Sequence, residues 1–238
     1  MTVMQMKKSK KDRATESRIN SIQVRLKIVS WNLLHRSGAV VEDISELVER
    51  EKPDLFLMQE ATNAIDALPD LVGGQFYKQP WPGRSHHLAA WSPEPPARAE
   101  VLELPASKMP GRLPPRFAQV LEINGMTIAN VHLSHGQILN RLQLRKIAHS
   151  TSGPTAIIGD YNTLGPIALH HFADVGPRGH THRAQNVMPF RLDRCMVREL
   201  HCVSARRLRR GPSDHRPIVL ELGDRHDHPS DRSDTDGG

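Results

Sequence analysis

The chain has 238 residues, 38% of them hydrophobic and 24% charged, which suits one soluble domain with a substantial core. No apolar run approaches the roughly 18 residues of a membrane-spanning helix, and no apolar segment of a secretory signal follows the basic start. Two cysteines, Cys195 and Cys202, are too few for a disulfide framework and read as reduced thiols of a cytoplasmic protein, monomeric by default. The formal charge of +6 is unevenly spread. Residues 1–25 hold seven Lys/Arg against two Asp/Glu, and residues 224–238 hold two against five, which leaves a mild +4 between them. That balance suits an anionic substrate without requiring nucleic acid.

Residues 1–25 are polar and basic, without apolar periodicity, and read as a disordered leader; residues 224–238 read as a disordered polar tail. A single domain is expected over 26–223. Its opening, LKIVSWN, is a β-branched apolar run and predicts a strand ending near Trp31. VVEDISELVEREKPD has Val41, Ile44, Leu47 and Val48 at helical spacing and is closed by Pro53. DLFLMQE predicts a second buried strand ending at Glu60. From Gly73 to Pro115 the chain is rich in Pro and Gly, with short strands expected at LAAW and AEVLEL. AQVLEI and MTIANVHL, joined by Asn124-Gly125, predict a hairpin with a type I′ turn. A helix follows over 137–149, with Ile138, Leu142 and Ile147 expected on its buried face. TAIIGD, RLDRCMV and RPIVLEL complete the strands. Alternating strands and helices interrupted by a hairpin predict an α/β fold with mixed sheets.

Asn32, Glu60, Asp160 and Asn162 each follow directly on a buried apolar run. Asp193 lies just inside the start of another, and Asp214 with His215 just before the last. Singly, an Asp or Asn after a strand is more often a turn residue or a cap. As a set, polar groups at strand ends converge on one rim of a sheet, where α/β proteins build their sites. Clustered carboxylates repel one another unless a cation lies between them. Asp, Glu and Asn oxygens without a cysteine partner suit a hard ion such as Mg²⁺.

The segments SWN (30–32), QE (59–60), NVHL (130–133), GDYN (159–162), LDR (192–194) and SDH (213–215) resemble, in order, the motifs of the endonuclease/exonuclease/phosphatase superfamily. This is the fold of pancreatic deoxyribonuclease, exonuclease III, inositol-polyphosphate 5-phosphatases and neutral sphingomyelinases. The resemblance implies a DNase-I-like four-layer α/β/β/α sandwich with two mixed β-sheets, and a Mg²⁺-dependent (or Mn²⁺-dependent) phosphoester hydrolase. It also implies roles. Glu60 is the principal metal ligand, with Asn32 beside it and Asp214 completing the site. Asp160 positions and deprotonates the attacking water, and Asn162 holds a phosphate oxygen. His215 contacts the scissile phosphate, Asp193 pairs with it, and His132 stands near the leaving group.

There are departures from the pattern. HHLAAWSPEPP is a degenerate version of the stretch that follows the glutamate strand in this family and lacks its arginine. No carboxylate orienting His132 can be singled out among Glu94, Glu100 and Glu103. The span from Asp160 to Asp193 is short. The histidine pairs His86-His87, His170-His171, His180/His182 and His226/His228 lack the Cys or acidic spacing of a zinc site. RRLRRG (206–211) precedes SDH directly. A charge run is usually a solvated face, but here Arg206, Arg207, Arg209 and Arg210 read as a loop that clamps substrate phosphates. Three functions remain in competition: a nuclease or related phosphodiesterase on DNA or RNA, an enzyme acting on a lipid headgroup or small phosphate ester, and a catalytically dead binding module. The intact Glu60, Asp160, Asn162, Asp214 and His215 argue against the last.

Overall fold

The computed structural model describes residues 25–80, 84–107, 115–184 and 187–224. The leader and the tail fall outside them except for Arg25 and Asp224. These two are strand residues and pair with Gly223 and Leu200.

The elements in chain order are β1 (Arg25–Asn32), α1 (Val41–Glu51), β2 (Leu55–Ala61), a 3₁₀ turn (Asn63–Ala67), α2 (Leu68–Val72), β3 (Gln75–Gln79), β4 (His87–Ser92), β5 (Arg98–Glu103), β6 (Phe117–Ile123), β7 (Met126–His132), α3 (Gln137–Ser150), β8 (Thr155–Asp160), β9 (Ala173–Asp174), β10 (His182–Ala184), β11 (Met188–Phe190), β12 (Asp193–Arg198), β13 (Leu200–Arg207) and β14 (Ile218–Asp224). One six-stranded sheet has the order β13-β14-β1-β2-β4-β3 and the other β5-β6-β7-β8-β12-β9, while β10 and β11 form a separate ribbon. Among the described residues only β1–β2 and β7–β8 pair in parallel, one pair per sheet.

The period-2 geometry of a strand sends alternate side chains to opposite faces, and both faces of these sheets are covered. Ile28, Leu55, Leu57, Ile128, Ile158, Cys195 and Leu220 meet between the sheets. Val29, Phe56 and Met58 turn outward onto Ile44, Leu47 and Val48 of α1. Ala129, Val131 and Ile157 turn outward onto Leu144 and Ile147 of α3. The result is four layers, helix, sheet, sheet, helix, which explains why the central strands are near-continuous apolar runs. Asn124 and Gly125 both have positive φ, 52° and 76°, as a type I′ turn requires.

Helix α3 departs from its sequence reading. Ile138 is 79% and Leu142 43% exposed, whereas Asn140 and Gln143 are fully buried. These polar side chains face inward because they bind backbone. The Asn140 amide donates to the Asn162 carbonyl (3.0 Å), and the Gln143 side chain accepts from Ser134 N–H (3.0 Å) while donating to the Pro105 carbonyl (2.9 Å).

Candidate active site

Strands β1, β2, β7 and β8 end on one rim of the sandwich, where β12 and β14 begin. Across the second sheet, His132 pairs in register with Asp160, and Asp160 with Asp193. Across the first, Asn32 stands opposite Gln59, next to Glu60. The sandwich brings these ends together. The Asn32 amide donates to Asp160 Oδ2 (3.0 Å), and His132 Nε2 lies 3.6 Å from the same oxygen and 4.0 Å from Glu60 Oε1. His215 Nδ1–H donates to Asp193 Oδ2 (2.8 Å), while its Nε2 faces Asp160 Oδ2 at 3.8 Å and Asp214 Oδ1 at 4.0 Å. Asn162 N–H donates to Asp160 Oδ1 (2.9 Å), and its side-chain amide to the Leu133 carbonyl (3.0 Å). All eight residues read as catalytic or metal-binding from the sequence thus share one cluster.

Burial and neighbouring charge set their protonation. Burial alone would lower the His215 pKa, but the carboxylates of Asp193 and Asp160 overcome it and push it up to about 10, so this imidazole is cationic at neutral pH. Burial raises the Asp160 pKa, and the opposing pull of His215 only partly offsets it. His132 is driven well below the usual histidine range, first by burial and then by the Arg116 charge; its contacts with Glu60 and Asp160 are those of a neutral ring. Burial pushes Glu60 up, but hydrogen bonds from the His35 ring and backbone prevail and hold its pKa below normal.

Residues outside the cluster fix its geometry. Between the sheets, the Gln59 amide donates to Asn130 Oδ1 (2.8 Å) and Ser30 Oγ (3.1 Å), and the Asn130 amide to the Ala89 carbonyl (3.0 Å). Gln59 and Asn130 thus form a buried hydrogen-bond network, in which Gln59 Oε1 is left without a partner, that holds the two sheets in register beneath the site. Ser213 Oγ donates to the Asn32 carbonyl (2.7 Å) and accepts from His215 N–H (3.0 Å), and Trp31 Nε1–H donates to the His215 carbonyl (3.0 Å). Thr181 Oγ1 accepts from Asp193 N–H (2.9 Å). Gly159 has φ of 140°, and a Cβ there would lie 2.1 Å from the Val131 carbonyl oxygen, so the position before Asp160 admits only glycine.

Some expected residues do not join this cluster. Arg206 and Arg207 are not in a loop but at the end of β13. Arg206 forms an ion pair with Glu51 at the end of α1, and Arg207 donates to the His180 carbonyl (2.8 Å). Only Arg209 and Arg210 stand exposed on the loop into Ser213. Glu94, Glu100 and Glu103 are exposed, and Glu100 forms an ion pair with Arg98, so none orients His132.

Four residues, Arg116, His35, His86 and His182, stand beside the cluster without any motif in the sequence that assigns them to it. Arg116 is 4% exposed, and its charge acts on His132, Asp160 and Glu60. His35 hydrogen-bonds Glu60 through ring and backbone and stacks on His86 at 4.1 Å. His182 lies 3.3 Å from Asp214 Oδ2, with its ring 4.5 Å from that of His215. All four depend on long-range approach, and no local spacing announces them.

For a cation, Asn32 Oδ1 and the Glu60 and Asp214 carboxylates supply hard oxygen donors, and Asp214 Oδ1 is buried without a hydrogen-bond partner. This donor set fits Mg²⁺ or Mn²⁺. The ligand atoms of His182, Asp214 and His215 also lie within 4.8 Å of one another.

Two mixed sheets packed face to face, with carboxylates, amides and imidazoles converging on one rim, define a DNase-I-like protein. The chain belongs to the Endonuclease/Exonuclease/phosphatase family, whose sequence pattern matches residues 29–215. Among solved structures, the endonuclease/exonuclease/phosphatase from Bacteroides vulgatus is similar with a TM-score of 0.69 and 14% identity, over 84% of this chain and 99% of that one. Humanized D. rerio TDP2 has a TM-score of 0.66 and 17% identity, over 83% and 98%. D. rerio TDP2 complexed with a single-strand DNA product has 0.64 and 15%, over 83% and 98%. At such identities the likeness shows the fold alone. No curated protein matches the sequence significantly. Among the described residues no helix is long and apolar enough to cross a membrane.

Proposed function

We infer that the protein is a Mg²⁺-dependent phosphodiesterase that cleaves nucleic acid. The observation that carries this reading is one imidazole, His215, held cationic between the buried carboxylates of Asp193 and Asp160. Hydrolysis of a phosphodiester builds negative charge on the nonbridging and leaving oxygens, and a fixed cationic N–H stabilises it. Asp160, whose pKa is raised above the ordinary carboxylate value by burial, takes a proton from the attacking water. The water oxygen bonds to phosphorus as the ester P–O bond breaks, a use of general-base catalysis worth about 10²–10⁴-fold. Asn162 orients a phosphate oxygen, and neutral His132 faces the departing oxygen. Glu60, Asn32 and Asp214 would hold the metal ion, which supplies Lewis-acid stabilisation of the phosphate.

Support for a polynucleotide comes from Arg209 and Arg210 on the loop before Ser213, and from the single-strand DNA product seen with a TDP2 of the same fold. A second reading, a lipid headgroup or small phosphate ester as substrate, is favoured by exposed Ile138 and Leu164 beside Asn162. Gln137 ties the two stretches together, donating to the Asn162 carbonyl and accepting from Leu164 N–H. A panel assay with Mg²⁺ separates these readings, comparing plasmid, single-stranded DNA, RNA, bis-p-nitrophenyl phosphate and sphingomyelin, with Asp160→Asn as control. Turnover of sphingomyelin alone would replace the first reading by the second. Undiminished turnover in Asp160→Asn would remove both.

A further inference from the structure

The end of α3 far from the catalytic rim borders a cavity of about 740 Å³ lined by Arg145, His149, His170, His171, Phe172 and Arg198, together with smaller apolar residues. It is distinct from the cluster described above. Arg198 ends the strand that Asp193 begins, and five residue steps of about 3.3 Å separate the two by roughly 17 Å.

The cavity's charge is one-sided. Among the described residues no carboxylate lines it, and α3 carries no acidic residue at all. The Arg198 guanidinium is fixed entirely by neutral oxygens, donating to the carbonyls of Gly153 (3.1 Å) and Ala148 (3.1 Å) and to Thr155 Oγ1 (2.9 Å). Its charge is therefore held in place but not neutralised. The Arg145 guanidinium has no hydrogen bond or ion pair among the described residues and is exposed at the mouth. His149 Nδ1–H is committed to the Arg145 carbonyl (2.6 Å), which leaves Nε2 for a ligand.

Two arginines without carboxylate partners constitute an anion site: Arg145 presents an open guanidinium fork that matches phosphate oxygens, and Arg198, whose Nε and Nη2 hydrogens are already donated to the protein, adds a fixed positive charge. The space exceeds what a bare phosphate ion needs and lies in the range of small-molecule sites, about 300–1,000 Å³. It also offers flat surfaces. His170 and His171 pack edge to face with centroids 3.6 Å apart, both are exposed, and the Arg198 guanidinium lies 4.9 Å from the centroid of the Phe172 ring. Exposed rings beside a cationic floor are how proteins accept a base joined to a phosphate.

We propose that this cavity is a nucleotide-binding site, separate from the catalytic centre, which takes a phosphate ester on Arg145 and Arg198 and a base against the His170–His171 rings. The nucleotide can arrive free or as one unit of a strand.

The test is calorimetric titration of the full-length protein in EDTA with dTMP, thymidine, inorganic phosphate and the octamer (dT)₈. Expected is saturable dTMP binding below about 1 mM, with thymidine and inorganic phosphate each at least about tenfold weaker. Arg145→Glu should weaken dTMP at least about tenfold, and His170→Ala should weaken dTMP while sparing inorganic phosphate. His215→Ala, at the other end of the strand, should leave dTMP binding unchanged. If (dT)₈ binds more tightly than dTMP, with a salt slope that Arg145→Glu flattens by about 0.7, the source is a strand; equal affinities mark a free nucleotide. Absence of saturation by dTMP would overturn the site. So would binding that survives Arg145→Glu and disappears in His215→Ala. Hydrolysis of bis-p-nitrophenyl phosphate by Arg145→Glu, which should match the parent, keeps this result separate from the fate of the catalytic reading.

Discussion

Asp160 and Asp193 are register partners on β8 and β12, two carboxylates on neighbouring strands that share a single imidazole. His215 takes Asp193 at 2.8 Å on Nδ1 and faces Asp160 at 3.8 Å with Nε2. Such a like-charge pair is tolerated in a buried setting because the imidazolium lies between its members. Asp193→Asn removes the hydrogen-bonded member and the main cause of the raised His215 pKa. Turnover of bis-p-nitrophenyl phosphate should fall by about 10–100-fold, with the thermal midpoint little changed. A parental rate in a folded Asp193→Asn protein would show that His215 does not depend on this contact.

Metal removal gives a second expectation. The oxygen-only donor set of Asn32, Glu60 and Asp214 predicts loss of hydrolysis in EDTA and recovery with Mg²⁺ or Mn²⁺. Full activity in EDTA, or recovery with zinc alone, would contradict it.

At Gly159, a methyl group would meet the Val131 carbonyl at 2.1 Å, and φ of 140° is strained for any L side chain. Gly159→Ala should cost about 3 kcal/mol or more, combining backbone strain with overpacking. The readout is the urea midpoint, and a shift under about 1 kcal/mol would mean that β7 and β8 separate easily.

Much of this architecture could be read from the chain because its buried strands carry apolar runs that stop abruptly at polar residues. LKIVSWN, DLFLMQE and TAIIGD each contribute a site residue where the run ends, so strand placement and site placement were one inference. Strand β13 escaped the same reading. HCVSARR lies on a sheet edge, where one face needs no apolar cover, and its terminal arginines looked like a loop until Arg206 met Glu51. In helix α3 the apolar spacing points Ile138 and Leu142 inward whereas the structure exposes them, because Asn140 and Gln143 are buried through hydrogen bonds that hydrophobic periodicity does not register. Arg116 and His182 reach the cluster from stretches without a motif, and only tertiary contact identifies them.

The stretch leading to Asp193 is held by an ion network with a definite pH signature. Asp174 accepts from Arg191 Nη1 and Nη2 (both 2.6 Å) and lies 3.4 Å from Arg194. Burial alone would raise its pKa, but the Arg191 hydrogen bonds and the two guanidinium charges hold it below the ordinary 3.8. A carboxyl depressed in the folded state contributes stability above its unfolded pKa and loses it as pH falls through the folded value. Asp174→Asn should therefore be destabilised by about 1–3 kcal/mol near pH 7, and the gap to the parent should close toward about pH 2. Urea midpoints at both pH values check this; a gap independent of pH would assign the loss to packing.

The separation of the four arginines gives the sharpest test of substrate class. Arg209 and Arg210 are exposed on the loop that runs into Ser213, Asp214 and His215, so a strand bound at His215 would lay its flanking phosphates against them. Arg206 instead pairs with Glu51. On duplex DNA each neutralised phosphate contributes a salt slope of about −0.9. The double variant Arg209→Ala/Arg210→Ala should raise KM for a long DNA and flatten its salt dependence by up to about two such increments. Its kcat should stay near the parental value, since neither residue touches the reacting atoms. A minimal diester has no flanking phosphates, and its hydrolysis should hardly change. Arg206→Ala should leave KM on both substrates alone and cost stability of no more than about 1 kcal/mol, because the guanidinium is half exposed. KM against salt for both substrates, in parent and variants, decides the matter. An equal loss on DNA and on the diester would mean that the 209–210 loop shapes the catalytic centre itself. No loss on either would leave the loop a solvated face and shift the substrate toward a lipid or small phosphate ester, the reading that exposed Ile138 and Leu164 already favour.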